Sequence, residues 1–331
     1  VASGRDTSRL DEDDVRTRAN PRGSRPRSKQ RPAHDDAAQG MVIAVDRGRY
    51  TVLVDDVPVT AMRARELGRK GIAVGDDVGV VGDLSGRTDA LARVVRITER
   101  TTVLRRTADD SDPIERVIVA NADQLAIVAS LADPEPSYGF IDRCLVAALA
   151  AGLEPLLCLT KADLAAPAPA LERYAALSVP AVVTSRGGPL DEVRERLAGQ
   201  VSVLVGHSGV GKSTLINALI PSAERAIGAV SAIGKGRHTS TSAVALRLPG
   251  PDNGWAIDTP GLRSFGLAHV TADDLLWAFP DLEDGATQCP PGCEHVSAEA
   301  GCRLDRWVAE GHATPERLAA FRRLLVSRVT S

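Results

Sequence analysis

Aromatic residues make up 3% of the 331-residue chain, too few for the extended stacking platforms on which single-stranded nucleic acids are held. Net charge is also lacking. Forty Lys and Arg stand against 43 Asp and Glu, a formal −3, so any binding of nucleic acid falls to local basic patches. No apolar run approaches the ~20 residues of a membrane span, and the polar start of the sequence has no apolar leader segment. No membrane association and a cytoplasmic location are therefore expected. Cysteine is sparse and uneven, with three of the five between positions 289 and 302. In a cytosolic chain such crowding points to a metal and not to disulfides. What remains is ordinary globular composition, 44% hydrophobic and 25% charged, with length enough for two or three domains.

Residues 1–38 carry almost no apolar periodicity. Within them, Arg16, Arg18, Arg22, Arg25, Arg27, Lys29 and Arg31 form a basic run with no acidic residue. It reads as a solvated disordered tail or as a phosphate-binding arm for RNA, and the two readings are compatible. From 41 to 97 the signals are short and β-like, at 41–45, 50–54, 57–61, 77–81 and 92–97, punctuated by Gly and Asp. Five such strands fit a small barrel of the OB type. Arg63, Arg65, Arg69 and Lys70 cluster in one predicted loop of it. Beyond residue 100 the pattern alternates: strands at 123–131, 155–160, 179–184 and 201–205, and helices at 138–151 and 190–198. That alternation predicts a parallel sheet covered on both faces. After about residue 268 the chain turns helical around a Cys/His cluster.

The strand at 201–205 runs directly into Gly206-His207-Ser208-Gly209-Val210-Gly211-Lys212-Ser213, followed by a helix predicted over 214–220. This is G-x-x-x-x-G-K-S in its strand–loop–helix setting, a phosphate cradle. Residues 206–214, including Thr214, are expected to surround the phosphates, with backbone N–H groups and the helix N-terminus supplying positive potential. Lys212 is expected to reach the β- and γ-phosphates, and the Ser213 hydroxyl to ligate Mg²⁺.

The base is read elsewhere. Thr160-Lys161-Ala162-Asp163 closes an apolar strand, where an [NT]-K-x-D element recognises guanine. The Asp163 carboxylate accepts two hydrogen bonds that guanine offers and adenine does not. The Lys161 stem is expected to pack over the ring, and Thr184-Ser185, at the end of the next strand, to present a backbone N–H to it. Downstream, Asp258-Thr259-Pro260-Gly261 offers a carboxylate on the Mg²⁺ side and a Gly261 N–H for the γ-phosphate. Between cradle and Asp258 lies Gly234-Lys235-Gly236-Arg237-His238-Thr239-Ser240-Thr241, a basic, hydroxyl-rich stretch suited to a switch loop. Thr239 is favoured over Thr241 as its Mg²⁺ ligand. The Gln that orients water in Ras-like proteins is replaced by Leu262, so slow intrinsic hydrolysis is expected. His238 is the internal candidate for positioning water, and His238, Lys212 and Thr239 form the expected catalytic set.

The order of these motifs is permuted, since the base-reading strand precedes the phosphate cradle. A permuted chain can close the same sheet because domain termini often lie close together. As a consequence the switch region leads straight into the C-terminal part, which hydrolysis is expected to reposition. There, Cys289-x3-Cys293-x-His295-x6-Cys302 supplies three thiolates and one imidazole, a soft, closed set suited to one structural Zn²⁺. Cys144 and Cys158 sit in apolar contexts and are expected in the core.

Taken together, the TKAD, GHSGVGKS, GKGRHT and DTPG motifs, the Cys/His cluster and the phrases Val119-Ala120-Asn121-Ala122-Asp123-Gln124 and Gly261-Leu262-Arg263-Ser264-Phe265 resemble the RsgA (YjeQ/YloQ) small ribosomal subunit biogenesis GTPases over about residues 40–325. The resemblance implies a late maturation factor for the small ribosomal subunit and its rRNA, with GTP hydrolysis stimulated by the ribosome. It also places the family's switch histidine at His238 and its zinc ligands at Cys289, Cys293, His295 and Cys302. The usual zinc spacing, C-x4-C-x-H-x5-C, differs here, and the extension 1–38 lies outside the common core. The expected architecture is multidomain: an extension (1–38), an OB-like β-barrel (39–100), a circularly permuted α/β P-loop GTPase domain (101–268) and a mostly helical zinc-binding domain (269–331). A monomer is expected. A GTP-switched rRNA-binding scaffold is the competing reading, and Asp163 argues against an ATPase or kinase.

Overall fold

Short runs rich in Val and Ala, broken by tight turns, build the first half of the fold. A computed structural model describes residues 34–46, 48–68, 71–106, 116–223, 243–250, 254–259, 266–267 and 269–329. Of the separate unit Val1–Asp35 only His34 and Asp35 are described, and everything below belongs to Asp36–Ser331. The basic run 16–31, Arg69 and Lys70, the switch stretch with His238, Thr239 and Thr241, and Gly261 to Phe265 lie outside the described residues.

Strands β1 (Ala38–Asp46), β2 (Arg49–Val54), β3 (Val57–Arg63), β4 (Asp77–Gly82) and β5 (Ala92–Ile97) close into a barrel. Hydrogen bonding runs β1-β2-β3-β5-β4 and returns to β1, with only the β3–β5 pair parallel. Alternate residues point inward, and Val42, Val52, Val59, Val78, Val80 and Val94 fill the interior. The basic cluster expected in one loop is divided: Arg63 ends β3, while Arg65 opens a 3-10 turn at Arg65–Leu67.

A hairpin that the sequence did not suggest follows, β6 (Val103–Arg106) with β7 (Arg116–Ala120). The chain then alternates: β8 (Gln124–Ser130), α1 (Tyr138–Ala150), β9 (Glu154–Thr160), α2 (Ala168–Ala175), β10 (Ala181–Val183), α3 (Asp191–Leu197), β11 (Val201–Val205), α4 (Lys212–Leu219), β12 (Val244–Arg247) and β13 (Trp255–Asp258). The sheet order is β10-β9-β8-β11-β13-β12, parallel except for β12. Every residue of β8 is buried, as a central strand covered on both faces must be. One face packs on α1, through Ile141, Cys144 and Leu145, and the other on α3 and α4, through Val193, Leu197, Leu215 and Leu219. β1 also pairs with β12 at Ala44 and Val244, which joins barrel and sheet.

The C-terminal helices are α5 (Ala272–Leu276), α6 (Pro280–Ala286), α7 (Leu304–Ala309) and α8 (Pro315–Val329). Thr271 and Asp274 form a capping box at the start of α5, satisfying N–H groups that a helix start leaves open. Phe279 and Phe321 meet edge to face at 5.0 Å. Their cluster is continuous with Leu145 and Leu157 of the sheet layer, so these helices share the core of the α/β domain.

Candidate nucleotide site and Cys/His cluster

Because β8, β9, β10, β11 and β13 run in one direction, the loops that follow them emerge along one edge. This is where open α/β sheets bind ligands. β11 leads into 206–211, β9 into Lys161, β10 into Thr184-Ser185, and β13 ends on Asp258. Gly211 has φ 93° and precedes α4 directly, a left-handed conformation that costs glycine nothing. The helix begins at Lys212, two residues before the predicted start. Lys212, Ser213 and Thr214 thus occupy its first turn, where N–H groups are unpaired.

Six polar contacts hold this edge together. Thr160, buried, donates from Oγ1 to the Val210 carbonyl at 2.5 Å, which ties the end of β9 to the cradle. The Ala162 N–H donates to the Thr184 carbonyl at 3.1 Å, placing the turn that carries Asp163 against the end of β10. Lys212 Nζ is paired with the Asp258 carboxylate and donates to the Thr259 carbonyl at 3.2 Å. Thr259 Oγ1 in turn donates to the Leu204 carbonyl of β11 at 2.7 Å. Lys161 adopts φ 60° and its Nζ donates to the Asp133 carbonyl.

This last contact brings in a segment that sequence reasoning left aside. Residues 131–137 follow β8 onto the same edge. Of these, Pro134, Glu135 and Ser137 line a cavity of about 390 Å³ with Ser130, Phe140, His207 and Ser208, and Phe140 meets the His207 ring edge-on at 4.1 Å. Asp133-Pro134-Glu135-Pro136 marks a turn immediately after an apolar strand, and that signal could have found it.

The second constellation lies between α6 and α7. The ligand atoms of Cys289, Cys293, His295 and Cys302 all lie within 4.8 Å of one another. Cys289 Sγ and Cys302 Sγ are 3.9 Å apart, and His295 Nδ1 is 3.7 Å from Cys302 Sγ. A disulfide needs ~2.05 Å, whereas zinc–sulfur bonds of ~2.3 Å arranged tetrahedrally give edges of about 3.8 Å. The set is therefore compatible with zinc, and the altered spacing still brings all four residues together. The Arg303 N–H points at Cys289 Sγ at 3.2 Å. Burial pushes the Cys302 thiol up to about 11, reinforced by the neighbouring Cys289 and Cys293, and burial lowers His295. Cys144 and Cys158 are buried in the sheet layers, as expected.

Comparison with known proteins agrees with this architecture. The model of the family described as RsgA GTPase matches residues 97–268. The chain is 42% identical over 220 residues to the small ribosomal subunit biogenesis GTPase RsgA of Pseudomonas aeruginosa, an alignment covering 63% of this chain and 64% of that protein. It thus spans somewhat under two thirds of that relative's length. Among solved structures, YjeQ from Thermotoga maritima superposes with a TM-score of 0.64 at 25% identity, covering 89% of this chain and 99% of that one. YloQ, described as a circularly permuted GTPase, shares the fold with a TM-score of 0.62 at 23% identity, over 90% of this chain and 97% of that one.

Proposed function

The chain belongs to the RsgA GTPase family, and from that premise we propose that it hydrolyses GTP to GDP and phosphate on the small ribosomal subunit, as a late maturation factor. Hydrolysis is stimulated by the ribosome and coupled to release. The observation that carries this reading is the Thr160–Val210 hydrogen bond. It joins the segment suited to guanine and the segment suited to phosphates at one edge, although the chain order separates them.

In this reading Asp163 accepts the N1–H and exocyclic amine of guanine, Lys161 covers the ring, and the Thr184-Ser185 corner offers the Ser185 backbone N–H, since the Thr184 N–H is held by the Leu159 carbonyl at 2.7 Å. The N–H groups of 206–214 surround the phosphates, and Lys212 leaves Asp258 for the β- and γ-phosphates. Ser213, Asp258 and Thr239 or Thr241 would hold Mg²⁺, which neutralises charge on the phosphates. Gly261 contacts the γ-phosphate and His238 positions the attacking water. Cys289, Cys293, His295 and Cys302 hold one structural Zn²⁺. The domain division 1–38, 39–100, 101–268 and 269–331 is part of the proposal, as are a cytoplasmic location and a monomeric state. Among the described residues no helix is long and apolar enough to cross a membrane.

Turnover measured separately with small subunits, large subunits and whole ribosomes tests the proposal. Stimulation by small subunits is expected, with loss of activity in Lys212→Ala and Ser213→Ala. Turnover unchanged by small subunits would instead indicate a GTP-switched rRNA scaffold.

A further inference from the structure

Residues 119–123 sit where barrel, hairpin and phosphate-loop strand meet. Asn121 adopts φ 53°, and both ends of its side-chain amide are engaged. Nδ2 donates to the Gly75 carbonyl of the barrel at 2.9 Å, while Oδ1 accepts the Thr101 N–H at 2.9 Å. Asparagine suits this position because it tolerates a left-handed backbone and carries a donor and an acceptor on a short side chain.

The backbone on either side continues the junction. The Ala120 N–H donates to the Val74 carbonyl and the Asn121 N–H to the Thr102 carbonyl, each at 2.9 Å. Gly75, φ 87°, lies so close that a Cβ there would be 2.0 Å from the Ala120 oxygen. The turn carrying Gly75 is itself braced. Fully buried Asp76 takes Arg100 Nε at 2.7 Å and Nη2 at 2.8 Å, and also the Ala73 N–H at 2.7 Å.

Two residues further on, Asp123 accepts the Val201 N–H on Oδ2 at 2.7 Å and donates its own N–H to the Val201 carbonyl at 2.9 Å. Val201 is the first residue of β11, and the phosphate loop leaves the other end of that strand.

We propose that Asn121 and Asp123 are positioning residues that clamp the barrel to the root of the phosphate-loop strand, so that barrel and nucleotide site behave as one rigid body. Engagement of the barrel by the small subunit reaches the phosphate loop through this corner, whereas nucleotide binding does not depend on it. The part concerning stimulation rests on the proposed function, and the rigidity of the corner does not.

Three variants of the full chain test the clamp. Asn121→Gly preserves the left-handed backbone and deletes only the amide. Asn121→Asp keeps the acceptor for Thr101 and loses the donor for Gly75. Gly75→Ala forces the surfaces apart from the barrel side. Amide hydrogen exchange in 72–76 and 119–121 is expected to rise about tenfold in each, with the phosphate loop unchanged. Turnover with small subunits is expected to fall about tenfold, while GTP and GDP affinity and unstimulated turnover stay within about twofold of the parent. Unchanged exchange in Asn121→Gly overturns the clamp, whatever turnover does. Faster exchange with full stimulation overturns its coupling to hydrolysis, and a parallel loss of nucleotide affinity assigns Asn121 to the nucleotide site instead. If the parent chain shows no stimulation, the proposed function fails, and the exchange measurement still decides the clamp.

Discussion

Thr160 Oγ1 donates to the Val210 carbonyl at 2.5 Å, so one hydroxyl fastens the end of β9 to the loop that follows β11. In Thr160→Val a methyl replaces that hydroxyl at nearly constant volume and leaves the Val210 carbonyl without this donor. A buried unsatisfied acceptor costs ~1–3 kcal/mol. Affinity for a fluorescent GTP analogue and for GDP is expected to fall about tenfold or more, while Thr160→Ser retains it. Equal affinities in Thr160→Val and the parent would show that the loop holds its shape without this bond.

Asp163 is exposed at the end of the same segment, ready to meet a ligand edge. Asp163→Asn replaces an acceptor by a donor and inverts the match to guanine. GTP binding is expected to weaken by a factor on the order of a hundred, with a gain in affinity for xanthosine triphosphate. Competition of both nucleotides against one labelled ligand measures the exchange of preference. Loss of both affinities would point to a structural role for Asp163.

The convergence of these candidate segments on one edge was legible because each directly follows an apolar strand, and the G-x-x-x-x-G-K-S spacing is itself a local pattern. What the sequence hid depends on distant partners. The hairpin Val103–Arg106 with Arg116–Ala120 is short and presents little alternation. Helix α2 carries Pro169 in its first turn, where proline is tolerated although it reads as a breaker. Pro180 delays β10 to Ala181, two residues past the predicted start. Asn121 stood out only as part of a familiar phrase, since its role requires Gly75 and Thr101, 46 and 20 residues away.

At the Cys/His cluster, burial holds the Cys302 thiol near 11 and lowers His295. Without a metal, the thiol is therefore protonated and the imidazole neutral at pH 7. Binding of Zn²⁺ would displace the Cys302 proton, so affinity is expected to rise with pH between about 6 and 8, with proton release on titration into the chelator-treated protein. A pH indicator in weakly buffered solution reads that release. Chelation is also expected to lower the unfolding temperature of the C-terminal helices, and Cys302→Ala to abolish the effect of added Zn²⁺. Absence of proton release would exclude thiolate ligation.

The route from β13 into α5 suggested that hydrolysis repositions the C-terminal part as a whole, and the packing narrows that expectation. Helix α8 is held on α1 by a buried carboxylate. Asp142, 3% exposed, takes Arg173 Nη2 at 3.2 Å and lies 3.3 Å from Arg323 Nε. Beside it, Arg143 Nη1 donates to the Ser327 carbonyl at 2.8 Å. Displacing α8 would take Arg323 from that carboxylate, break the Arg143–Ser327 hydrogen bond and open the shared apolar core, so α8 is expected to stay in place on hydrolysis. Protease protection of α8 is accordingly expected to be the same with a GTP analogue and with GDP. Arg173→Met and Arg323→Met should each cost about 1 kcal/mol, because the other cation remains and both are partly exposed. Together they should cost about 3 kcal/mol or more, since Asp142 is then buried without either partner. Denaturant unfolding of the two single variants and the double variant measures the excess over additivity. Strict additivity, or α8 protection that changes with the nucleotide in the parent chain, would show that this carboxylate does not anchor the helix.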